Sequence, residues 1–147
     1  MYKQPILLLL CWLGCWVMTM AWAKDLEPLL QADEAFQLSG ELKDAQTVRL
    51  SWDIAEGYYL YRQKFAFVSA SRDIKLGVPS FPAGQTKQDQ HFGNVEIYRD
   101  QLEVELPIQR SAANPASLKL EVSFQGCADA GVCYMPVKKS ITLDLSD

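Results

Sequence analysis

Histidine and cysteine are scarce in this sequence, and no repeat or low-complexity tract is present. The single histidine is His91, and two of the four cysteines, Cys11 and Cys15, lie in an apolar N-terminal segment. One histidine and the two remaining cysteines cannot supply the four ligands of a usual zinc site or the two histidines of a blue-copper centre. No histidine lies near a nucleophile in the sequence, so hydrolytic chemistry has no support. We therefore predict no metal and no cofactor.

An export signal accounts for the long apolar run at the N-terminus. Lys3 precedes the uncharged stretch Ile6–Met20, and Ala21-Trp22-Ala23 supplies the small-x-small pattern of a signal peptidase site. The run is shorter than the roughly 20 residues of a membrane-spanning helix, and no Lys/Arg cluster follows it. We expect a cleaved signal peptide at residues 1–23, in preference to a retained anchor or a lipoprotein modified at Cys15.

The mature chain is then residues 24–147, an exported domain that is not inserted in the membrane. The leader carries one lysine and no acidic residue, so its removal changes the formal net charge from −4 to about −5. A chain of about 124 residues builds one core, and the absence of a basic stripe argues against nucleic acid as a partner. Disulfides persist in an oxidising compartment, so Cys127 and Cys133 are expected to be joined.

Apolar residues alternate with polar ones along most of the mature chain, which is the period of β-strands. Turn-forming residues separate these runs, and only Leu26–Phe36 has a helical pattern. About eight short strands predict a single all-β domain, a sandwich in preference to a barrel, with Trp52 at the centre of its core. The predicted strands are Ala35–Leu38, Val48–Ile54, Tyr58–Tyr61, Phe65–Val68, Val95–Tyr98, Leu102–Ile108, Leu118–Phe124 and Ile141–Leu145.

Cys127 and Cys133 are close in sequence, and their disulfide is either a structural staple or an electron carrier. Chain-entropy arguments give roughly 2.4 kcal/mol to a bridge that closes about seven residues, against about 4.7 kcal/mol for a loop of 100. A bridge this local ties no distant strands together. As a staple it would be a weak one.

A redox role needs a sulfur that an attacking thiolate can reach. Gly126 and Gly131 favour an open, turned loop around the two cysteines. No Lys, Arg or His lies inside the loop to lower a thiol pKa, and Asp129 is acidic. These residues leave both roles open, and the spacing alone favours the structural bridge.

The segment QGCADAGVCYMP at Gln125–Pro136 resembles the motif Gln-Gly-Cys-Ala-Asp-x-Gly-x-Cys-Tyr-x-Pro. That motif belongs to the N-terminal periplasmic domain of the thiol–disulfide interchange protein DsbD family. GYYLYRQ at Gly57–Gln63 and EIYRD at Glu96–Asp100 fit the same family. Three ordered motifs at compatible spacing make the resemblance specific. It implies an immunoglobulin-like β-sandwich located in the periplasm.

The resemblance also implies that a reversible Cys127–Cys133 disulfide carries electrons, which makes the chain a protein-disulfide reductase or the carrier domain of one. Cys133 would form the mixed disulfide with a partner, and Cys127 would resolve it. A thioredoxin-like donor domain would supply the electrons, in cis within a larger protein or in trans, because the sequence stops at Asp147 before any such domain. A periplasmic disulfide isomerase or a cytochrome c maturation thioredoxin would accept them.

Two tyrosines are expected beside the cysteine pair. Tyr59 and Tyr61 match family tyrosines that form a wall of the active site. As strand residues at i and i+2, they point to one face of a sheet. Ordinary core or edge packing is the alternative role for both.

A cap loop is expected at Asp89, His91, Phe92 and Gly93, where the family has a loop that shields the sulfurs until a partner displaces it. Counting back from Glu96 without gaps puts His91 at the position of the cap phenylalanine. Either Phe92 shifts to cover the bridge, or His91 does so and makes the shielding sensitive to pH near 6.5. An exposed turn position is the alternative for His91.

Two other functions compete with electron transfer. An exported binding or chaperone-like sandwich would use the disulfide for structure only, and its partner binding would survive loss of both cysteines. Capture of Cu(I) by reduced Cys127 and Cys133 together with Met135 is the third hypothesis, since thiolate and thioether ligands suit that ion.

Overall fold

The computed structural model of the chain describes residues 28–111 and 114–146. The predicted signal peptide, with Cys11 and Cys15, lies outside these residues. The described part contains a one-turn helix, a 3₁₀ turn at Arg62–Lys64 and eleven strands. The elements are α1 (Ala32–Ala35), β1 (Phe36–Asp44), β2 (Thr47–Ile54), β3 (Tyr58–Tyr61), β4 (Ala66–Ser69), β5 (Ile74–Leu76), β6 (Gln85–Asp89), β7 (Gly93–Tyr98), β8 (Gln101–Arg110), β9 (Ser117–Phe124), β10 (Gly126–Ala128) and β11 (Val137–Asp144).

The strands form three antiparallel sheets, with the orders β1-β2-β8-β5, β11-β9-β4 and β10-β3-β7-β6. Along β2, β8 and β9 every second side chain is buried, as the alternating sequence requires. The buried faces of these strands share one hydrophobic core. The sheets are separate and open, so the prediction of a sandwich is confirmed and the barrel alternative is wrong.

Trp52 lies in the core as predicted, with 1% of its surface exposed. Its ring makes edge-to-face contacts with Phe65 and Phe124, at centroid distances of 5.1 Å and 5.8 Å. Aromatic pairs in this geometry each add about 0.5–1.5 kcal/mol beyond the area that they bury. Phe65 and Phe124 therefore pack around Trp52 as part of the core.

The third sheet differs because both faces of its strand β3 are covered. All four residues of β3 are buried. Tyr58 and Leu60 face the main core, whereas Tyr59 and Tyr61 face a second apolar cluster on the opposite side of the sheet. The members of this second cluster are Tyr59, Tyr61, Val95, Ile97 and Cys127. One cysteine of the pair is therefore packed away from the main core.

The predicted helix over Leu26–Phe36 is shorter than expected. Among the described residues of that range, only Ala32–Ala35 is helical, and Phe36 begins β1. Phe36 is fully buried and its ring contacts Tyr134 edge-to-face at 5.5 Å, so packing in the sheet overrides the local helical pattern. No helix within residues 28–111 and 114–146 is long and apolar enough to cross a lipid bilayer.

Candidate functional site

A disulfide joins Cys127 to Cys133 across a tight turn. Cys127 lies on β10, where it pairs with Tyr59 of β3. Cys127 and Cys133 also face each other as an antiparallel bridge, and inside it the Ala128 N–H donates to the carbonyl of Val132 at 2.8 Å. Gly131 has φ +85°, a left-handed conformation that glycine adopts without strain. The backbone bonds of the turn thus hold the two cysteines opposite each other.

The two cysteines differ in exposure. Cys127 is fully buried, with 0% of its surface exposed, while Cys133 is exposed. Thiol–disulfide exchange requires an attacking thiolate to approach one sulfur in line. The bridge is therefore more accessible from the side of Cys133 than from the side of Cys127, which is buried.

Both predicted tyrosines lie at the disulfide. The Oη of Tyr61 is 3.3 Å from the Sγ of Cys127 and 4.0 Å from the Sγ of Cys133. The ring of Tyr59 packs edge-to-face on that of Tyr61 at 5.4 Å, and their hydroxyl oxygens are 3.5 Å apart. The strand alternation of β3 places both side chains on the face of Cys127, as the i, i+2 spacing predicted.

Asp89 is a buried acid, 7% exposed, in contact with this tyrosine pair. The Tyr61 hydroxyl donates to its Oδ2 at 2.6 Å, and its Oδ1 accepts the backbone N–H groups of His91 at 2.8 Å and Phe92 at 3.1 Å. These donors hold the pKa of Asp89 below its ordinary value, with the Tyr61 hydrogen bond as the largest cause. Burial, followed by the bond to Asp89, raises the pKa of Tyr61. At neutral pH Asp89 is ionised and Tyr61 is a neutral donor.

The predicted cap residues form the tip of the β6–β7 hairpin. Gly93 pairs with Asp89 across the turn and has φ +71°, which a three-residue hairpin turn needs. Phe92 is 44% exposed, and its ring contacts that of Tyr61 edge-to-face at 5.4 Å. The Nζ of Lys64, in the 3₁₀ turn, lies 4.3 Å from the centroid of the Phe92 ring. This cation–π contact also helps to hold Phe92 in place.

A pocket of about 200 Å³ separates the hairpin tip from the cysteine turn. His91 and Cys133 both line it, whereas Phe92 lies against Tyr61. The two candidate cap residues therefore occupy different places, His91 at the pocket that leads to Cys133 and Phe92 over the tyrosine wall. The full lining consists of Tyr59, Lys87, Gln88, Asp89, Gln90, His91, Ala128, Asp129, Gly131 and Cys133.

Two cations at the site were not predicted, because they come from β6 and from the β7–β8 turn. Lys87 and Arg99 lie over the ring of Tyr59, with 5.3 Å and 5.1 Å between the charge centre and the ring centroid. Arg99 also forms two hydrogen bonds with the carboxylate of Asp129, at 2.9 Å and 2.7 Å. The EIYRD motif contained Arg99 as a signal, but only the fold brings it to a residue 30 positions later.

Metal-binding groups are not assembled in the described part of the chain. Within residues 28–111 and 114–146, no three His, Cys, Asp or Glu residues form a group that could hold a metal ion. The groups that the fold brings together at the site are the sulfur pair, the tyrosine hydroxyls, the buried carboxylate and the two cations.

Comparison with known proteins decides the family. The family model described as "Thiol:disulfide interchange protein DsbD, N-terminal" matches residues 27–145. The chain belongs to the DsbD N-terminal family. Its membership agrees with the three sequence motifs and with a disulfide at the cysteines of the first motif.

Curated relatives and solved structures of the DsbD N-terminal family agree with this assignment. Thiol:disulfide interchange protein DsbD 1 of Pseudomonas aeruginosa is 41% identical over 115 residues, which is 78% of this chain and 19% of that protein. The DsbD protein of Klebsiella pneumoniae is 41% identical over 112 residues, or 76% of this chain and 18% of that protein. The chain thus spans about a fifth of the length of these relatives.

The reduced N-terminal domain of DsbD from Neisseria meningitidis has the same fold, with a TM-score of 0.70 and 33% identity, over 79% of this chain and 90% of that one. The structure of the complex between the DsbD and PilB N-terminal domains of the same organism matches with a TM-score of 0.65 and 34% identity, over 78% and 86% of the two chains. These matches confirm the immunoglobulin-like β-sandwich of the DsbD N-terminal domain for this chain.

Proposed function

We propose that this domain carries electrons between periplasmic proteins by reversible reduction of the Cys127–Cys133 disulfide. The observation that carries the proposal is the asymmetry of the pair, an exposed Cys133 joined to a fully buried Cys127. Membership of the thiol–disulfide interchange family supports the same chemistry. The domain acts as the carrier within a protein-disulfide reductase system.

The exchange proceeds in two substitutions at sulfur. In the reduced domain, the Cys133 thiolate attacks one sulfur of a partner disulfide, and the second partner sulfur leaves as a thiolate. The Cys127 thiolate then attacks Cys133 in the mixed disulfide, which forms the internal bridge and releases the first partner sulfur. Two electrons pass from the domain to the partner, which leaves as a dithiol. Reduction of the domain by its donor is the same sequence in reverse.

Thioredoxin-like proteins are the partners proposed both for reduction and for oxidation of the domain. The related complex with the PilB N-terminal domain supports a partner of this class. A thioredoxin-like donor, in cis or in trans, would reduce the domain, and a disulfide isomerase or a cytochrome c maturation thioredoxin would oxidise it. Val132 and Met135, which flank Cys133 and are 43% and 83% exposed, provide an apolar rim on which such a partner can dock.

The hairpin tip is proposed to gate this reaction. Asp89, His91, Phe92 and Gly93 occupy the tip, and the pocket beneath it reaches Cys133. Tyr59 and Tyr61 form the wall against which the tip closes. In the closed position, the tip limits approach of small thiols, and a docking partner displaces it.

The roles of the two cysteines are tested by trapping. Reduced Cys127→Ser and Cys133→Ser variants are each mixed with an oxidised thioredoxin-like protein, and covalent complexes are counted by mass spectrometry after acid quenching. The Cys127→Ser variant should accumulate a mixed disulfide through Cys133, because the resolving thiol is absent. The Cys133→Ser variant is the matched control and should accumulate little, since its remaining thiol is buried.

Equal trapping by the two variants would contradict the assigned roles. No trapping by either variant, together with unchanged partner binding, would contradict the exchange function and favour a binding module with a structural disulfide.

A further inference from the structure

We propose that Arg99 is a positioning residue that keeps Cys127 and Cys133 aligned when the bond between them is open. This inference rests on the proposed function. In the described part of the chain, the hydrogen bonds of Arg99 go to Tyr58 and Asp129 and not to either sulfur, so it acts through the turn that carries Cys133. Its partner in that turn is Asp129.

One guanidinium group connects three strands of the third sheet. Arg99 follows the end of β7, its Nη1 donates to the carbonyl of Tyr58 on β3 at 3.3 Å, and both terminal nitrogens donate to Asp129 just beyond β10. The guanidinium also lies over the ring of Tyr59, which pairs with Cys127. A planar guanidinium is suited to such a bidentate contact, and lysine could not reproduce it.

The residues between the two cysteines are mostly uncovered by other side chains. Asp129, Ala130, Gly131 and Val132 are all exposed. Backbone hydrogen bonds also hold the turn. In one of them the Asp129 N–H donates to the carbonyl of Gly57 at 2.7 Å. The Arg99 pair is partly protected from water, with 26% of the arginine side chain and 49% of the aspartate side chain exposed. It is therefore a side-chain anchor for the Asp129 side of the turn.

This anchor matters most in the reduced and mixed-disulfide states. In the oxidised domain the covalent bond itself fixes the turn, whereas in the other states the Arg99–Asp129 pair and the backbone bonds hold its Asp129 side, and the packing of Tyr134 on Phe36 holds the side that follows Cys133. A loose turn lowers the effective concentration of the Cys127 thiolate at the sulfur of Cys133. Loss of the pair should slow resolution of the mixed disulfide and should leave the first attack by Cys133 nearly unchanged.

The test separates the two steps by rapid acid quenching of the reduced protein mixed with an oxidised thioredoxin-like protein. In the Arg99→Met variant, resolution should slow by about threefold, the change that the loss of a partly exposed ion pair produces. The rate of first attack, measured in the Cys127→Ser background, should stay within about twofold of its value with Arg99. Asp129→Asn should also slow resolution, and the double variant should be no slower than Arg99→Met alone, because both substitutions remove the Arg99–Asp129 pair.

Arg49→Met is the matched control. Arg49 pairs with Glu41 at 3.1 Å across β1 and β2, and 31% of its side chain is exposed. A resolution rate in Arg99→Met equal to that of Arg49→Met would overturn the proposal. So would an equal slowing of first attack and of resolution in Arg99→Met. If Arg99→Met does not fold, Asp129→Asn carries the test, since it retains the contacts of Arg99 with β3.

Failure of the proposed function gives a different result. A wild-type protein that forms no mixed disulfide with thioredoxin-like proteins contradicts that function and leaves the positioning role testable with glutathione. In that equilibrium the Arg99→Met disulfide should be half-reduced at a ratio of [GSH]² to [GSSG] about threefold lower than for the wild-type disulfide. An unchanged equilibrium would overturn the positioning role.

Discussion

The hydroxyl of Tyr61 connects the buried acid of the site to its sulfurs. It donates to Asp89 at 2.6 Å, and its oxygen contacts the Sγ of Cys127 at 3.3 Å. A buried carboxylate needs such donors, because an ionised group without them is strongly destabilising. Asp89 in turn accepts two backbone N–H groups of the hairpin tip. Tyr61, through its bond to Asp89, therefore couples the cap to the disulfide.

Removal of this hydroxyl in Tyr61→Phe should lower the free energy of unfolding at pH 7 by about 1.5–3 kcal/mol, the usual contribution of a hydrogen bond to a charged group. The loss should shrink at acid pH. The folded pKa of Asp89 is below its unfolded value, so the stability it contributes is present above the unfolded pKa and is lost as pH falls through the folded pKa. Urea unfolding at pH 7 and at about pH 3 measures both effects.

Tyr98→Phe is the control for that measurement. The Tyr98 hydroxyl donates to the carbonyl of Pro82 at 2.9 Å, a neutral acceptor that does not titrate. Its loss should destabilise the domain equally at both pH values. A Tyr61→Phe variant whose stability loss is also independent of pH would contradict the role given to the Tyr61–Asp89 bond.

At the scale of elements, the β6–β7 hairpin places its tip against the active-site face. Phe92 contacts Tyr61 from one side, and Lys64 contacts Phe92 at 4.3 Å. Phe92→Ala removes both contacts, and one aromatic pair is worth about 0.5–1.5 kcal/mol. The tip should open more often, so dithiothreitol should reduce the disulfide roughly two- to tenfold faster than in the wild type.

Two further variants decide which residue shields the bridge. Val68→Ala, an exposed apolar position on β4, is the control and should leave the reduction rate unchanged. His91→Ala tests the other cap candidate, since His91 lines the pocket at Cys133. Faster reduction in His91→Ala with no change in Phe92→Ala would assign the shielding to His91 and contradict the prediction for Phe92.

Strands with clear alternation or a run of aromatic and β-branched residues were predictable from the sequence, whereas short polar or very short strands were missed. The strands around Val48–Ile54 and Leu118–Phe124 were correct because one face of each is buried and the other is polar. Strand β6, with the sequence QTKQD, was missed because it is an edge strand with mostly exposed side chains. Strand β10 was missed because only three residues pair and all are buried.

The site was predictable only where residues are close in sequence or fall in a known motif. The cysteine pair and Tyr59–Tyr61 were placed by the resemblance, and strand spacing supported a shared face for the tyrosines. The local sequence offered no cation near the sulfurs, whereas the fold brings Lys87 and Arg99 over Tyr59. Such contacts depend on strand order in the third sheet, which alternation alone does not specify.

At the scale of the whole molecule, the disulfide is separate from the main core. Cys127 belongs to the second apolar cluster, on the face of the third sheet opposite the core. The main core is continuous around Trp52 without either cysteine. The two redox states can therefore interconvert while the sandwich stays folded, which a carrier needs and a structural staple does not.

The most direct test of this account is the redox equilibrium of the purified protein against glutathione, read by alkylation and mass spectrometry. We predict that oxidised and reduced forms are both populated across buffers in the range of known exchange proteins, roughly −120 to −270 mV. A disulfide that remains oxidised in strongly reducing buffer and exchanges with no thioredoxin-like protein would contradict the electron-carrier account and identify the bridge as a structural staple.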